Sequence, residues 1–129
     1  DKFRTKMAVV EGENEGKLSV THWRMLERLY YVSLMEMRLE TGRTHQIRVH
    51  MSHIGCPILG DNTYGKSGAF KSATSESEVI LRAALDGFER QALHAKTLGF
   101  IHPITKDHMS FDSDLPADMQ ALKDAVSTL

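Results

Sequence analysis

The feature that most constrains the fold is a change of hydrophobic period near residue 41. Over residues 29–40, apolar and charged side chains alternate with a period of two, which predicts a strand with one buried and one wet face. After Thr41-Gly42, the apolar residues follow the spacing of one helix face. These residues are Ile47, Met51 and Ile54. The sequence therefore predicts a strand that turns directly into a helix.

Local signals define the ends of this helix. Thr44 is the predicted N-cap, since a threonine hydroxyl can accept a hydrogen bond from a free amide of the first turn. Gly55 is the predicted residue after the C-cap, and Pro57 ends the segment. Arg43 then lies at the corner between strand and helix.

The remaining pattern alternates strands and helices. A hairpin is predicted from the strands Lys6–Val10 and Lys17–Leu26. A second hairpin is predicted from the strands Leu93–Ile101 and His108–Asp112. Residues 66–78 predict a mobile loop, and the capping pair Ser75 and Glu78 precedes a helix. That helix is expected to bury Ile80, Ala84 and Phe88, and a last helix after Pro116 is expected to bury Met119, Leu122 and Val126. The predicted fold class is α+β, with a mainly antiparallel or mixed sheet and flanking helices.

Composition limits the class of protein. The 129 residues are 41% hydrophobic and 26% charged, which is typical of one small globular domain. No apolar run approaches the ~20 residues of a membrane span, so we expect no membrane partner. The single cysteine, Cys56, excludes an internal disulfide and favours the cytoplasm; a small core residue is its simplest role.

The charge is uneven although the net charge is only −1. Residues 22–53 contain five arginines and four histidines against three glutamates. A basic stripe of this kind can contact phosphate, although a solvated surface of mixed charge is the simpler interpretation.

Chemically useful side chains are densest at the predicted corner. Residues 43–50 contain Arg43, His45, Gln46, Arg48 and His50. Free amides at a helix N-terminus and an arginine fork beside them favour an anion such as phosphate or carboxylate. The alternative is that these side chains only satisfy neighbouring polar groups of the fold, and local chemistry leaves both interpretations open.

The stretch over residues 39–50, Leu-Glu-Thr-Gly-Arg-Thr-His-Gln-Ile-Arg-Val-His, resembles the most characteristic segment of the RluA-type RNA pseudouridine synthases. The pieces around it resemble the family in the same order, including Val20–Arg24, Ile54–Asp61, Tyr64-Gly65, Leu93–Ala95 and His102-Pro103. The resemblance covers nearly the whole chain apart from residues 66–78.

The resemblance implies isomerisation of uridine to pseudouridine in RNA, with large-subunit (23S-type) ribosomal RNA as the expected partner and with no cofactor and no metal. The target base has to leave its stack and enter a pocket. Arg43 matches the family arginine that pairs with the catalytic aspartate, and a guanidinium keeps such a carboxylate ionised. His45, Gln46 and Arg48 match the rest of the motif and are expected to bind RNA, with either positioning or contact with the RNA backbone as the role of Arg48. Tyr64 is a candidate to stack a base, and a rim tyrosine packed on the core is the alternative.

The chain departs from the family in one decisive respect. The catalytic aspartate of the family lies in a segment resembling His-Arg-Leu-Asp, and no such segment occurs in this sequence. We therefore expect residues 1–129 to be the C-terminal portion of one catalytic domain and to be inactive alone. Such a portion would expose an apolar seam that favours self-association.

Two other functions compete with this interpretation. A metal hydrolase could use His45, His50, His53 and Asp61, but His45 is five residues from His50 and points away from it on a helix. A non-catalytic RNA-binding module would share the basic corner and need no aspartate. The sequence that precedes this chain in the full reading frame distinguishes the enzyme from the module.

Overall fold

Two antiparallel sheets and three helices build the protein, as seen in a computed structural model that describes residues 5–9, 19–29, 31–42, 44–65 and 75–127. The elements follow in the order β1 (Thr5–Val9), β2 (Ser19–Arg28), β3 (Ser33–Leu39), α1 (Gln46–His53), α2 (Glu76–Asp86), β4 (Thr97–Ile101), β5 (His108–Asp112) and α3 (Ala117–Ser127). No helix in the described ranges is both long and apolar enough to cross a membrane.

The first sheet is a meander of β1, β2 and β3, in which each strand pairs with its sequence neighbour. The predicted pairing of the first two strands is confirmed, and their connection lies outside the described residues. The predicted start of β3 at Leu29 is wrong. The Leu29 amide donates to the Val32 carbonyl oxygen at 2.9 Å, and Tyr31 has a left-handed φ of 64°. No glycine or proline marks this turn in the sequence, so the pattern placed the start of the strand too early.

The faces of β3 are less different than the alternation predicted. Its middle residues are half-buried on both sides, so a fully wet face is wrong. Glu36 forms an ion pair with Arg24 of β2 at 2.8 Å, and this pair covers the polar face of the strand. The strand is therefore buried by cross-strand pairing as well as by the core.

The second sheet is the hairpin of β4 and β5, with Leu98 opposite Phe111 and Phe100 opposite Met109. β5 has its predicted bounds, whereas β4 begins at Thr97 and not at Leu93. All strand pairs of the described residues are antiparallel, which confirms the α+β class. These strands form two separate sheets and not the one sheet that was predicted.

The buried apolar side chains of the described residues lie on β2, on the three helices and just after α2. These side chains are Val20, Met51, Leu81, Phe88, Leu122 and Val126. Leu122 and Val126 confirm the inner face predicted for α3. In α2, the prediction for Ile80 is wrong: it is 41% exposed, while Leu81 is fully buried, because three apolar residues in a row left the buried face ambiguous.

The helix ends follow local rules in part. Ser75 accepts a hydrogen bond from the Glu78 amide at 3.2 Å, as predicted, so residues 76–78 belong to α2 and 66–74 lie outside the described residues. At the end of α1, Gly55 has a φ of 82°, and its amide donates to the Ser52 carbonyl oxygen. The next amide, of Cys56, donates to the carbonyl oxygen of Met51, which completes a Schellman motif and confirms the predicted glycine stop.

The start of α1 differs from the prediction. His45, and not Thr44, is the N-cap, and its φ of 51° and ψ of 29° are left-handed. No side-chain hydrogen bond caps the helix there. A left-handed residue other than glycine costs about 1–2 kcal/mol, so contacts elsewhere have to hold this corner in place.

Candidate functional site

A buried polar network fixes α1 to the first sheet. Gln46, the first residue of α1, is buried, and its Nε2 donates to the Val20 carbonyl oxygen and to Thr21 Oγ1, each at 2.9 Å. Its Oε1 accepts a hydrogen bond from Thr41 Oγ1 at 2.6 Å. The Thr41 hydroxyl oxygen in turn accepts from the Val20 amide at 2.9 Å. Thr41, two residues after the end of β3, and the first residue of α1 are thus both tied to β2.

His50 extends this network one helical turn further. Its Nδ1 lies 2.8 Å from Thr21 Oγ1, and both side chains are almost completely buried. Burial, followed by repulsion from His53, lowers the pKa of His50 below its ordinary value. His50 is therefore a neutral residue with a structural role, which argues against anion binding by its side chain.

Arg48 forms a two-bond ion pair with Asp61. Its Nε donates to Oδ2 and its Nη2 to Oδ1, each at 2.9 Å. The Asp61 side chain is fully buried, and that of Arg48 is 14% exposed. Asp61 Oδ1 also accepts the amide hydrogens of Thr63 at 3.1 Å and Tyr64 at 3.0 Å.

The surroundings of Asp61 keep it ionised. Its pKa is lowered from 3.8 to about 2, chiefly by the hydrogen bonds from Arg48, with the two amides helping and burial opposing. The carboxylate of the ion pair therefore stays ionised well below neutral pH.

Tyr64 and His45 form the exposed side of this cluster. The Arg48 guanidinium carbon lies 5.0 Å from the centre of the Tyr64 ring. The Tyr64 hydroxyl lies 2.9 Å from His45 Nδ1, and the two rings meet edge to face at 5.6 Å. The Tyr64 carbonyl oxygen accepts from Ser52 Oγ at 2.7 Å, so the loop 60–65 is bound to α1 at several points.

The structure brings together three of the predicted site residues, which are His45, Arg48 and Tyr64. It separates Gln46 from them. Arg43 lies outside the described residues, so its pairing with an aspartate stays a prediction. Gln46 faces the interior with its amide hydrogen-bonded, which favours a structural role over the RNA contact we predicted.

The ion pair of Arg48 was missed by the sequence reasoning. Asp61 was expected to make turn or cap contacts, and its hydrogen bonds to two amides agree with this. Its partner Arg48 is thirteen residues away, and no periodic pattern links a helix to the loop that follows it. Cys56 corrects another expectation, because its thiol is exposed and not in the core.

Metal ligands do not converge in the described part of the chain. No group of three or more His, Cys, Asp or Glu side chains is close enough there to hold an ion. His50, one of the imagined ligands, is occupied by Thr21 in the interior.

Residues 2–53, which include the corner and α1, match the protein family described as RNA pseudouridylate synthase. The chain is 51% identical over 119 residues to ribosomal large subunit pseudouridine synthase D of Zymomonas mobilis, covering 92% of this chain and 35% of that protein. The protein of the same name from Pseudomonas aeruginosa is 49% identical over 115 residues, covering 89% and 34%. The chain thus spans about a third of the length of the curated relatives it matches.

Solved structures show the same relationship. Human RNA pseudouridylate synthase domain containing 1 superposes with a TM-score of 0.55 and 32% identity, covering 76% of this chain and 35% of that one. Human RNA pseudouridylate synthase domain containing 4 gives a TM-score of 0.65 over 92% of this chain and 46% of that one, and its 24% identity supports the fold alone. The family match over residues 2–53, the close relatives and the shared fold thus make this chain similar to the RNA pseudouridylate synthases over nearly its whole length.

Proposed function

We propose that the protein containing this chain isomerises uridine to pseudouridine in RNA, and that the corner between β3 and α1 forms part of its active site. In this reaction the N-glycosidic bond breaks, the uracil turns, and a carbon–carbon bond forms to the same ribose carbon. No redox change occurs, so the reaction needs no redox cofactor. The observation that carries the proposal is the corner itself, a family-matched segment that buried hydrogen bonds hold rigidly against β2.

Arg43 is the residue of this chain that we place at the chemistry. It lies between Thr41 and His45, both of which are fixed by hydrogen bonds. A guanidinium at this point would keep a partly buried carboxylate ionised and oriented. That carboxylate is expected outside these 129 residues, because the sequence has no segment resembling His-Arg-Leu-Asp. We accordingly expect the 129-residue chain to be inactive alone.

The RNA substrate that we propose is large-subunit ribosomal RNA, with the cytoplasm as the site of action. The names of the relatives from Zymomonas mobilis and Pseudomonas aeruginosa support this substrate. The exposed rings of Phe100 and Phe111 on the hairpin of β4 and β5 support a related prediction, that the isolated chain associates with itself.

The test uses the full-length protein and tritium release from RNA labelled on its uracil rings. Arg43→Ala should lower turnover by at least about 100-fold, because an ionised group at the reacting centre would lose its partner. Arg82→Ala, which removes an exposed arginine of α2, is the matched control and should retain activity. Near-normal turnover of Arg43→Ala would remove Arg43 from the site.

The wild-type protein tests the alternative function. Binding of ribosomal RNA without any tritium release by the full-length protein would favour a non-catalytic RNA-binding module. Tritium release by the isolated 129-residue chain would show that the expected aspartate outside it is unnecessary.

A further inference from the structure

We propose that Asp61 is a positioning residue of this active site, acting through Arg48 and Tyr64 to orient the imidazole of His45, which follows Arg43 by two residues in the sequence. The proposal rests on the proposed function and assigns Asp61 and Arg48 an indirect role. Of the two roles that the sequence suggested for Arg48, positioning and contact with the RNA backbone, it selects the first.

The first step is that Asp61 cannot itself touch RNA. Its side chain is fully buried, and its two oxygens accept hydrogen bonds from Arg48 and from the amides of residues 63 and 64. A buried carboxylate with these partners has no surface left for a ligand. Its effect on the reaction can only pass through the groups that it holds.

The second step is that Arg48 is used as a support. Two of its nitrogens bind Asp61, and its guanidinium carbon lies over the Tyr64 ring, 5.0 Å from the ring centre. An arginine that contacts phosphate extends its fork towards solvent, whereas this side chain is only 14% exposed. The guanidinium therefore fixes the plane of the Tyr64 ring.

The third step connects this support to the active-site corner. The Tyr64 hydroxyl is hydrogen-bonded to His45 Nδ1 at 2.9 Å, and His45 has the left-handed backbone at the start of α1. His45 is exposed and follows Arg43 by two residues. Holding its ring would therefore fix an exposed imidazole at the start of α1, where it could meet a nucleotide.

The test measures single-turnover rate constants of the full-length protein, in excess over unmodified large-subunit ribosomal RNA, by tritium release. We expect Asp61→Asn and Arg48→Gln each to lower the rate constant at saturation by about tenfold or more. A loss of positioning of this size is ordinary for a group that orients the reacting site. The double variant should be no slower than the slower single variant, because both changes break one unit. Independent, multiplying effects would overturn the proposal.

The salt dependence of RNA binding separates support from direct contact. Each lost phosphate contact lowers the slope of log affinity against log salt concentration by about 0.7 for single-stranded RNA. We expect Arg48→Gln to leave this slope unchanged. A slope reduced by that amount would show that Arg48 contacts phosphate and would overturn the proposal.

A merely structural role is distinguished by the kind of activity that is lost. Partial unfolding lowers the concentration of active protein, so more total protein is needed for saturation, and it leaves the rate constant at saturation unchanged. An unchanged rate constant would overturn the proposal. Tyr64→Phe tests the same chain of contacts without disturbing the ion pair, since only the hydroxyl bound to His45 is lost. It should be several-fold slower than wild type, and a normal rate constant would contradict the proposal.

Asp118→Asn is the matched control, because Asp118 accepts two hydrogen bonds from Arg90 at 2.9 Å in an exposed position of α3. It should retain the wild-type rate constant. The positioning role alone is refuted if the wild type is active, Arg43→Ala is inactive, and the variants at Asp61, Arg48 and Tyr64 have normal rate constants. Failure of the proposed function would appear already in the wild type or in Arg43→Ala.

Discussion

The replacement Asp61→Asn should destabilise the protein strongly although it changes almost no volume. Asparagine has no charge, and its amide NH2 would face the donors of Arg48 or of the loop amides. The Arg48 side chain, only 14% exposed, would lose its counter-ion. Breaking one partner of a buried ion pair typically costs about 3–5 kcal/mol.

The pKa of Asp61 gives an independent magnitude. Each pKa unit corresponds to about 1.4 kcal/mol, so lowering the pKa from 3.8 to about 2 stabilises the folded state by roughly 2.5 kcal/mol. We therefore expect Asp61→Asn to lose about 2–4 kcal/mol of unfolding free energy at neutral pH.

The pH dependence follows from the direction of this pKa change. Because the folded-state pKa is the lower one, the unfolded chain takes up the proton first as pH falls. The stabilisation is complete above about pH 5, roughly half of it remains near pH 3, and it disappears below about pH 2. The difference in unfolding free energy between wild type and Asp61→Asn should become smaller as pH falls over this range, because the variant has no carboxylate to titrate at this position.

Urea unfolding of the 129-residue chain measures this difference, with the fluorescence of its single tryptophan, Trp23 in β2, as the signal. Asp118→Asn is again the control, since its pair with Arg90 has the same bond lengths but side chains 38% and 48% exposed. Water screens that pair, so its loss should be much smaller. Equal losses for the two variants, or a gap that stays constant between neutral pH and about pH 3, would refute the reasoning.

The network under α1 and the core of α2 give further predictions. Thr21→Val should cost about 1–3 kcal/mol in urea unfolding, because buried polar atoms of Gln46 and His50 lose a partner; an unchanged midpoint would contradict this. Wild type should lose stability as pH falls below 6.5, because the unfolded chain binds the proton that buried His50 resists, and His50→Gln should lose less. An identical pH dependence of the two proteins would count against a neutral His50. Leu81→Ala should cost about 2–5 kcal/mol and Ile80→Ala under about 1 kcal/mol, and similar losses in thermal unfolding would show that the buried face of α2 is misassigned.

Local signals predicted well wherever the physics is local. The glycine stop of α1 at Gly55, the capping pair before α2 and the bounds of β5 all depend on interactions over a few residues. Two of the misplaced boundaries, the starts of β3 and α1, lie at turns built from unusual residues. Tyr31 and His45 adopt left-handed backbones without being glycine, which tertiary contacts such as that of Tyr64 with His45 have to stabilise.

The sequence by itself determined the family resemblance and the segment that carries it, because those depend only on residue order. The tertiary structure alone decided which side chains of that segment are available. Gln46 faces the interior, and Arg48 is paired with Asp61 from a loop thirteen residues away. The physical reason is that the strength of an ion pair or hydrogen bond depends on the distance and burial created when the loop folds back on α1. No local pattern of residues encodes that distance or that burial.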